Sequence, residues 1–511
     1  MGYKELSVNL GTDYTEQELC NFISKKLSIK DFLYKINKKS LDARNRSNIH
    51  WQITVEVSSK ELKGKPIEPE YPFDIPYKKR NEKVVVVGSG PAGFFSAFVL
   101  QKAGFNVTLL ERGADVSKRE KGIRSFEKTG TFDPISNYAF GEGGAGTFSD
   151  GKLTSRSKHI SKERQFIISQ YIEAGAPEEI AYLTHAHIGS NNLKRIVKTL
   201  RARFINSGGK ILFESFVKDI KIKDKKAVAV TTLTEEIDAN IVIMATGLAS
   251  YETYKMLIKK GVGFNIKNFA LGCRVEHEQQ IINLAQWGKK GITGVKAAEY
   301  RLAAKLDKDN SVYTFCMCPG GTIIPSTAYE KANIVNGMSM YERNSDFANA
   351  GCVTGINLNK LIGKELLALE ALDWLKELEQ SFYKYSNGYA IPACTIKDFM
   401  SKKISGEKII SSYPLGVISA PLWELLPAEV VKAISLGLVD FSKKIRGFDK
   451  GNIMGLETKT SSVIQVIRQE NALCHGFENL YMIGEGSGYS GGIISSGADG
   501  VRAAMWIIAG G

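Results

Sequence analysis

Val84-Val85-Val86-Val87 runs directly into Gly88-Ser89-Gly90-Pro91-Ala92-Gly93, and no other stretch limits the possible folds as much. Four consecutive β-branched apolar residues predict a parallel strand buried on both faces. A helix over 92–103 and a second strand over 107–110 would complete a βαβ unit. Within G-x-G-x-x-G, Gly88 permits a tight turn and Gly90 lets backbone approach a pyrophosphate. Gly93 lets the helix pack closely on the strand, and the helix N-terminus supplies positive potential to phosphates. Glu111 ends the second strand, 21 residues after Gly90, where a carboxylate can accept hydrogen bonds from ribose hydroxyls. An incidental glycine turn would not bring strand, helix and acid into this order.

Two more glycine-rich loops lie downstream. One is 141–151 (GEGGAGTFSDG); the other, GEGSGYSGGIISSGADG, follows a strand over 480–483 and leads into a C-terminal helix from about Gly497. Between them a helix over 193–206 ends at Gly208-Gly209, a common helix stop. Strands over 210–213, 216–222, 227–232 and 241–244 read as a small antiparallel meander feeding back into the main sheet. From 262 to 450 strands such as 311–316 alternate with helical stretches such as 365–385. The first residues predict a β-α-β-β module: strand 3–9, helix 17–26 and strands near 32–37 and 50–57. Pro66, Pro69, Pro72 and Pro76 are 4 of 13 prolines in the chain and predict an extended connector.

The predicted class is therefore α/β. A Rossmann-type domain, parallel sheet plus antiparallel meander, spans 81–260 and 451–511. A mixed α/β substrate domain is inserted at 261–450. A small N-terminal α+β module (1–65) and a proline-rich linker (66–80) precede them.

Three segments bear a family resemblance. Glu111-Arg112-Gly113 resembles the strand-end motif of two-dinucleotide-binding flavoproteins. Ala245-Thr246-Gly247, closing the apolar strand IVIM, is similar to their A-T-G. Gly484-Glu485-Gly486 with Gly491-Gly492-Ile493 resembles the segment that closes over the flavin. The chain looks like the glutathione-reductase-type superfamily and, more closely, a bacterial group of uncharacterised FAD-dependent dehydrogenases, through VVVVGSGPAGFFSA, FGEGGAGTFSDGKLTSR, TFCMCPGG, ETKTSSVIQVIR and IGEGSGYSGGIISSGADG. The resemblance implies non-covalent FAD and redox chemistry, and names no substrate. It implies that Gly143, Gly144, Ala145 and Gly146 run along the ribityl chain, with Thr147 or Ser149 bonding the pyrophosphate. Val217 joins the expected cofactor contacts. Backbone N–H groups at the last helix would stabilise charge on a reduced isoalloxazine.

No second G-x-G-x-x-G follows a buried strand in 112–480, so a dedicated NAD(P) domain is not expected, although NADH or NADPH can act as a transient donor. Cys316 and Cys318 are the candidate catalytic residues. A C-x-C pair at a strand end points both sulfurs to one face, where they can exchange electrons with a flavin. The competing reading, two small buried apolar residues leading into Pro319-Gly320-Gly321, is preferred because C-x-C disulfides are strained. His185 and His187 lack an evident third partner, so no metal site is expected. Arg274, Glu276, His277, Lys459 and Arg468 are further pocket candidates, each also readable as a structural polar contact.

Composition adds limits. Seven scattered cysteines without framework spacing predict free thiols in a reducing compartment, and no signal peptide or membrane span is evident; a cytoplasmic protein is expected. The net charge of +14 comes from dispersed lysines, so a small-molecule substrate is expected rather than nucleic acid or membrane. The alternatives are an RNA-associated flavoprotein and a flavoprotein scaffold or sensor without turnover.

Overall fold

A computed structural model describes residues 1–65, 73–155, 157–306 and 311–510. The N-terminal module is β1 (Gly2–Gly11), α1 (Glu16–Leu27), β2 (Leu33–Asp42) and β3 (His50–Ser59), an antiparallel sheet in the order β1-β3-β2. Thr15 caps α1 in a reciprocal box with Glu18, satisfying two amides of the first turn. Alternate β3 residues Ile53, Val55 and Val57 bury against Leu19 and Ile23 of α1. The module joins the rest through Lys39, whose backbone pairs with Tyr182 and Thr184. Pro66, Pro69 and Pro72 of the expected linker lie outside the described residues.

Next come β4 (Lys83–Val87), α2 (Pro91–Lys102), β5 (Asn106–Leu110), α3 (Val116–Thr129), α4 (Ser161–Glu173), α5 (Ser190–Asn206) and β6 (Lys210–Leu212). The antiparallel meander is β7 (Asp219–Lys223), β8 (Lys226–Thr231) and β9 (Glu236–Asp238), followed by β10 (Ile241–Met244) and α6 (Tyr251–Lys259). Two predicted details change. The strand at 210 is not part of the meander: β6 runs parallel to β5. Helices α3 and α4 fill a stretch that carried no predicted element.

The valine run behaves as a strand buried on both faces must. Val84 and Val86 enter one core, and Val85 and Val87 the other.

The inserted region holds β11 (Phe264–Ile266), β12 (Phe269–Glu278), α7 (Gln279–Trp287), β13 (Ala303–Lys305), β14 (Ser311–Cys318), β15 (Gly321–Pro325), β16 (Val335–Ser339) and β17 (Phe347–Ile356). After these come α8 (Leu358–Ile362), α9 (Ala368–Ser386), β18 (Ile391–Thr395), α10 (Ile396–Ser401), β19 (Val417–Ser419), α11 (Leu422–Leu425) and α12 (Ala428–Lys444). The chain ends with β20 (Asn452–Glu457), β21 (Ile464–Val466), β22 (Leu480–Met482) and α13 (Ile493–Ile508).

A seven-stranded sheet, β13-β14-β17-β12-β20-β18-β19, forms the inserted domain. The expected boundary at 451 falls too early, because β20 pairs with β12 and β18 inside this sheet.

The parallel sheet has the order β22-β10-β4-β5-β6. From β4 the chain builds first to one side and later returns to the other, so β4 is the topological switch point where such sheets open a ligand crevice. Among the described residues no helix is long and apolar enough to cross a membrane.

Candidate functional site

The three glycine loops converge at the carboxyl end of β4. Gly88 (φ 106) turns the chain so closely under Ala245 that a methyl group there would strike the Ala245 carbonyl oxygen. Gly144 (φ 68) brings the second loop across the first; a Cβ at 144 would lie 2.9 Å from Gly90 Cα. From the C-terminal segment, a Cβ on Gly484 would lie 2.7 Å from Ala92 Cβ, and one on Gly146 would lie 3.1 Å from Ile493 Cγ1. A cleft of about 500 Å³ opens where they meet, lined by Ser89, Pro91, Gly143, Gly146, Thr147 and Ile493 among others.

The α2 N-terminus is prepared for an anion. Gly90 is its N-cap with no side-chain cap, Pro91 occupies the first turn, and no acidic residue follows there. The amides of that turn have no intrahelical partner, and the helix dipole adds positive potential. Gly492 caps α13 in the same way, without a side-chain cap or an acidic first turn. Its own N–H donates to Glu485 Oε1, a carboxyl that burial holds above its ordinary value.

Glu111 is buried and its carboxylate is already engaged. One oxygen accepts from Ser89 N–H at 2.9 Å and Ser89 Oγ at 2.7 Å. The other accepts from Gly113 N–H at 2.9 Å and Gly141 N–H at 3.0 Å. It therefore ties the first two glycine loops together. Arg112 stacks its guanidinium over Phe140 and Phe216, 4.0 and 4.7 Å from the ring centroids, and pairs with Glu252. Thr147 Oγ1 donates to Glu142 O and Ser149 Oγ to Gly146 O, so both hydroxyls brace their loop. Val217 is buried in the core beneath the meander.

Two side chains that sequence patterns did not single out hold this arrangement. Arg119 on α3 is fully buried and donates to the carbonyls of Asn137, Tyr138, Glu142 and Gly144, all within 2.8–2.9 Å. It shapes the second loop from below. Burial pushes its pKa down to about 10, still charged at neutral pH. Tyr254 on α6 bonds both Gly486 O at 2.9 Å and Gly247 O at 3.3 Å, joining the Ala245-Thr246-Gly247 turn to the last loop. An arginine in a charged stretch looks like a solvated one, and nothing in the local pattern marks either residue.

The other candidates separate into two groups. Arg468 bonds Asp499 and Met482 O, while Asp499 receives Gly484 N–H; this is a brace for the C-terminal loop. His277 bonds Phe448 O at 2.8 Å, and burial takes it down to about 4. Glu276 holds Ser412. His187 bonds Tyr341 O, and burial brings it also to about 4; His185 pairs with Glu299. Among the described residues no group of three His, Cys, Asp or Glu side chains could hold a metal. Lys459, by contrast, lines a cleft of about 330 Å³ with Leu248, Tyr251, Leu372 and Ser462, and pairs with Glu379.

Where the two domains meet, Cys316, Cys318, Arg274, Glu457, Lys152, Asp150 and Arg343 form one network. Arg343 clamps Asp150 at 2.6 and 3.0 Å, and Lys152 together with Arg343 holds that carboxylate well below its ordinary range despite burial.

Comparison with known sequences places these features in a family. Residues 81–135 match an FAD binding domain, 268–460 match "FAD-dependent protein, C-terminal domain-like", and 3–58 match a domain of unknown function (DUF8436). An uncharacterized protein of Clostridium beijerinckii (strain ATCC 51743 / NCIMB 8052) is 36% identical over 524 residues, 98% of each chain. This chain belongs to that FAD-dependent family. The glutathione-reductase type, named from the same motifs, is carried by none of these matches. Solved structures with low similarity include CtdE in complex with FAD (12% identity, 84% of this chain and 86% of that one, TM-score 0.35) and glycine oxidase from Bacillus cereus ATCC 14579 (14%, 84% and 95%, TM-score 0.32). These values set no functional expectation for this chain.

The residues present fit FAD. A Cβ at Gly247 or Gly492 would meet nothing within 4 Å, so backbone lies open to a ligand at both loops. Among the described residues the buried Thr246 Oγ1 beside them has no hydrogen-bond partner, and a polar ligand atom would satisfy it.

Proposed function

We propose that the protein is an FAD-dependent oxidoreductase acting on a small molecule, with NADH or NADPH as a transient electron donor. The observation that carries this reading is the meeting of three glycine loops at the switch point, between two helix N-termini that carry no acidic first turn. Bound FAD would supply two-electron transfer, and the protein's part is binding, orientation and access.

The N–H groups of Gly90, Ala92 and Gly93 would hold the pyrophosphate. Glu111 would keep the first two loops in register, and a ribose hydroxyl reaching it would take the place of the Ser89 hydroxyl. The Arg112 cation, stacked on Phe140 and Phe216, would lie on the adenosine side of the site. Gly491 to Ile493 would face the far end of the cofactor at the α13 N-terminus, whose dipole favours negative charge; the Gly491 and Gly492 N–H groups are themselves held by Ser495 Oγ and Glu485 Oε1. The cleft beside Lys459 opens at the end of β10 and provides an approach for an anionic or polar substrate.

The test is direct. Protein purified with excess FAD and desalted should stay yellow at one flavin per chain, and the colour should bleach on anaerobic addition of NADH or NADPH. Protein that leaves the column colourless refutes the cofactor assignment. A yellow protein that neither nicotinamide bleaches refutes the donor.

A further inference from the structure

Cys316 and Cys318 end β14 at a break in its ladder. Phe315 pairs with Gly351 and Cys318 with Asn349, so two residues of β14 stand opposite Ala350. Cys316 adopts φ 43, left-handed backbone that costs a non-glycine residue about 1–3 kcal/mol and persists only where its surroundings impose it. Arg274 imposes it here. Its guanidinium donates to Cys316 O at 2.7 Å and reaches to 3.7 Å from Cys318 Sγ. Arg274 is itself fixed by Glu457 at 2.7 Å and Asn349 at 2.7 Å. On the other side Lys152, paired with Asp150, donates to Met317 O.

At the bulge the Cys318 thiol donates to Cys316 O at 3.3 Å. Cys316 is partly exposed and Cys318 is buried. Lys152, which holds Met317 O, directly follows the second glycine loop. The pair therefore sits where the end of the second glycine loop meets β14, at the junction of the FAD-binding and inserted domains.

We propose that Cys316 and Cys318 are a redox-active dithiol that exchanges an electron pair with the flavin; this rests on the FAD reading above. Two S–H bonds break and one S–S bond forms, and the two electrons and two protons pass to the flavin, the oxidant. In reverse, reduced flavin returns them and the disulfide opens to two thiols. The neighbouring Cys318 thiol, Lys152 and Arg274 favour the Cys316 thiolate and hold its pKa below the usual thiol value against burial and the charge of Asp150. The thiolate is the form that exchanges.

Strand geometry sets the remaining condition. Residues i and i+2 of a regular strand are about 6.6 Å apart at Cα, near the upper limit of roughly 6.8 Å for a disulfide. A strained bond is easily reduced, which suits a pair that cycles. The other facing pair, Cys273 and Cys352 in adjacent strands, is buried with both thiols pushed up, as expected of inert cysteines.

The experiment is an anaerobic dithionite titration of the yellow holoprotein, with N-ethylmaleimide trapping and peptide mass spectrometry at each end point. The dithiol predicts four electrons per chain for the wild type and two for Cys318→Ser. The peptide carrying Cys316 and Cys318 should be unlabelled when oxidised and doubly labelled when reduced, while the Cys273 and Cys352 peptides do not change. Yellow wild-type protein that takes only two electrons, with both thiols labelled in either state, overturns the dithiol and leaves the flavin standing. Colourless protein overturns both.

Discussion

Replacing Arg119 by methionine should unhook the second glycine loop and, with it, the cofactor. The guanidinium donates four hydrogen bonds of 2.8–2.9 Å to carbonyls of residues 137–144 while fully buried. Hydrogen bonds to a charged group contribute about 1.5–3 kcal/mol each, so four amount to roughly 6–12 kcal/mol before desolvation of the cation, itself several kcal/mol, is set against them. A net loss of about 3–5 kcal/mol is the expectation for breaking such a buried charged network. The freed loop carries Gly144, which lies against Gly90, so only part of that loss reaches the cofactor. A loss of about 1.4–2.8 kcal/mol in binding would be a ten- to hundredfold higher FAD Kd. Flavin fluorescence titration gives the Kd, and thermal unfolding with and without FAD gives the stability. Arg119→Lys should recover only part of both, since one ammonium cannot reach four carbonyls. A variant Arg119→Met with Kd within twofold of wild type and an unchanged unfolding midpoint would refute the reasoning.

Three further outcomes are expected. Gly144→Ala places a methyl 2.9 Å from Gly90 Cα at a backbone with φ 68, a strained position worth about 1–3 kcal/mol; FAD affinity measured by the same titration should fall at least fivefold with little change in far-ultraviolet circular dichroism. His277, whose native pKa of about 4 lies below its ordinary 6.5, binds a proton in the unfolded chain first. Its contribution is thus complete above pH 6.5 and lost as pH falls towards 4, by roughly 3 kcal/mol; urea midpoints across that window should fall more gently in His277→Gln. Lys459→Met leaves the buried Glu379 carboxylate without its cation at 2.8 Å and should destabilise by about 3–5 kcal/mol, with Glu379→Gln in the same chain restoring much of the loss in a thermal melt.

The parts of this molecule that were readable from sequence are those whose physics is local. A valine run, a turn that only glycine accommodates and a helix beginning at Pro91 each declare themselves within a few residues, and so β4, α2 and the loops at 143 and 484 stand where their motifs put them. The N-terminal module was legible as a strand, a helix and two strands, and these stand in that order. What escaped depends on pairing across long separations. β20 belongs to the inserted sheet because β12 and β18, far back in the chain, offer it partners, and no composition shift at 451 announces that. Arg119 sits in a charged run and looks solvated until α3 folds it under the loop. The bulge at Cys316 is the same kind of case: strand periodicity puts both sulfurs of a C-x-C on one face at regular spacing, and by that geometry they are better read as two small apolar residues. Only the slip against β17, held by Arg274 from β12 and Lys152 from the other domain, sets the Cys318 sulfur against the Cys316 carbonyl and a guanidinium. If chemistry resides there, it is written in contacts made by three distant segments.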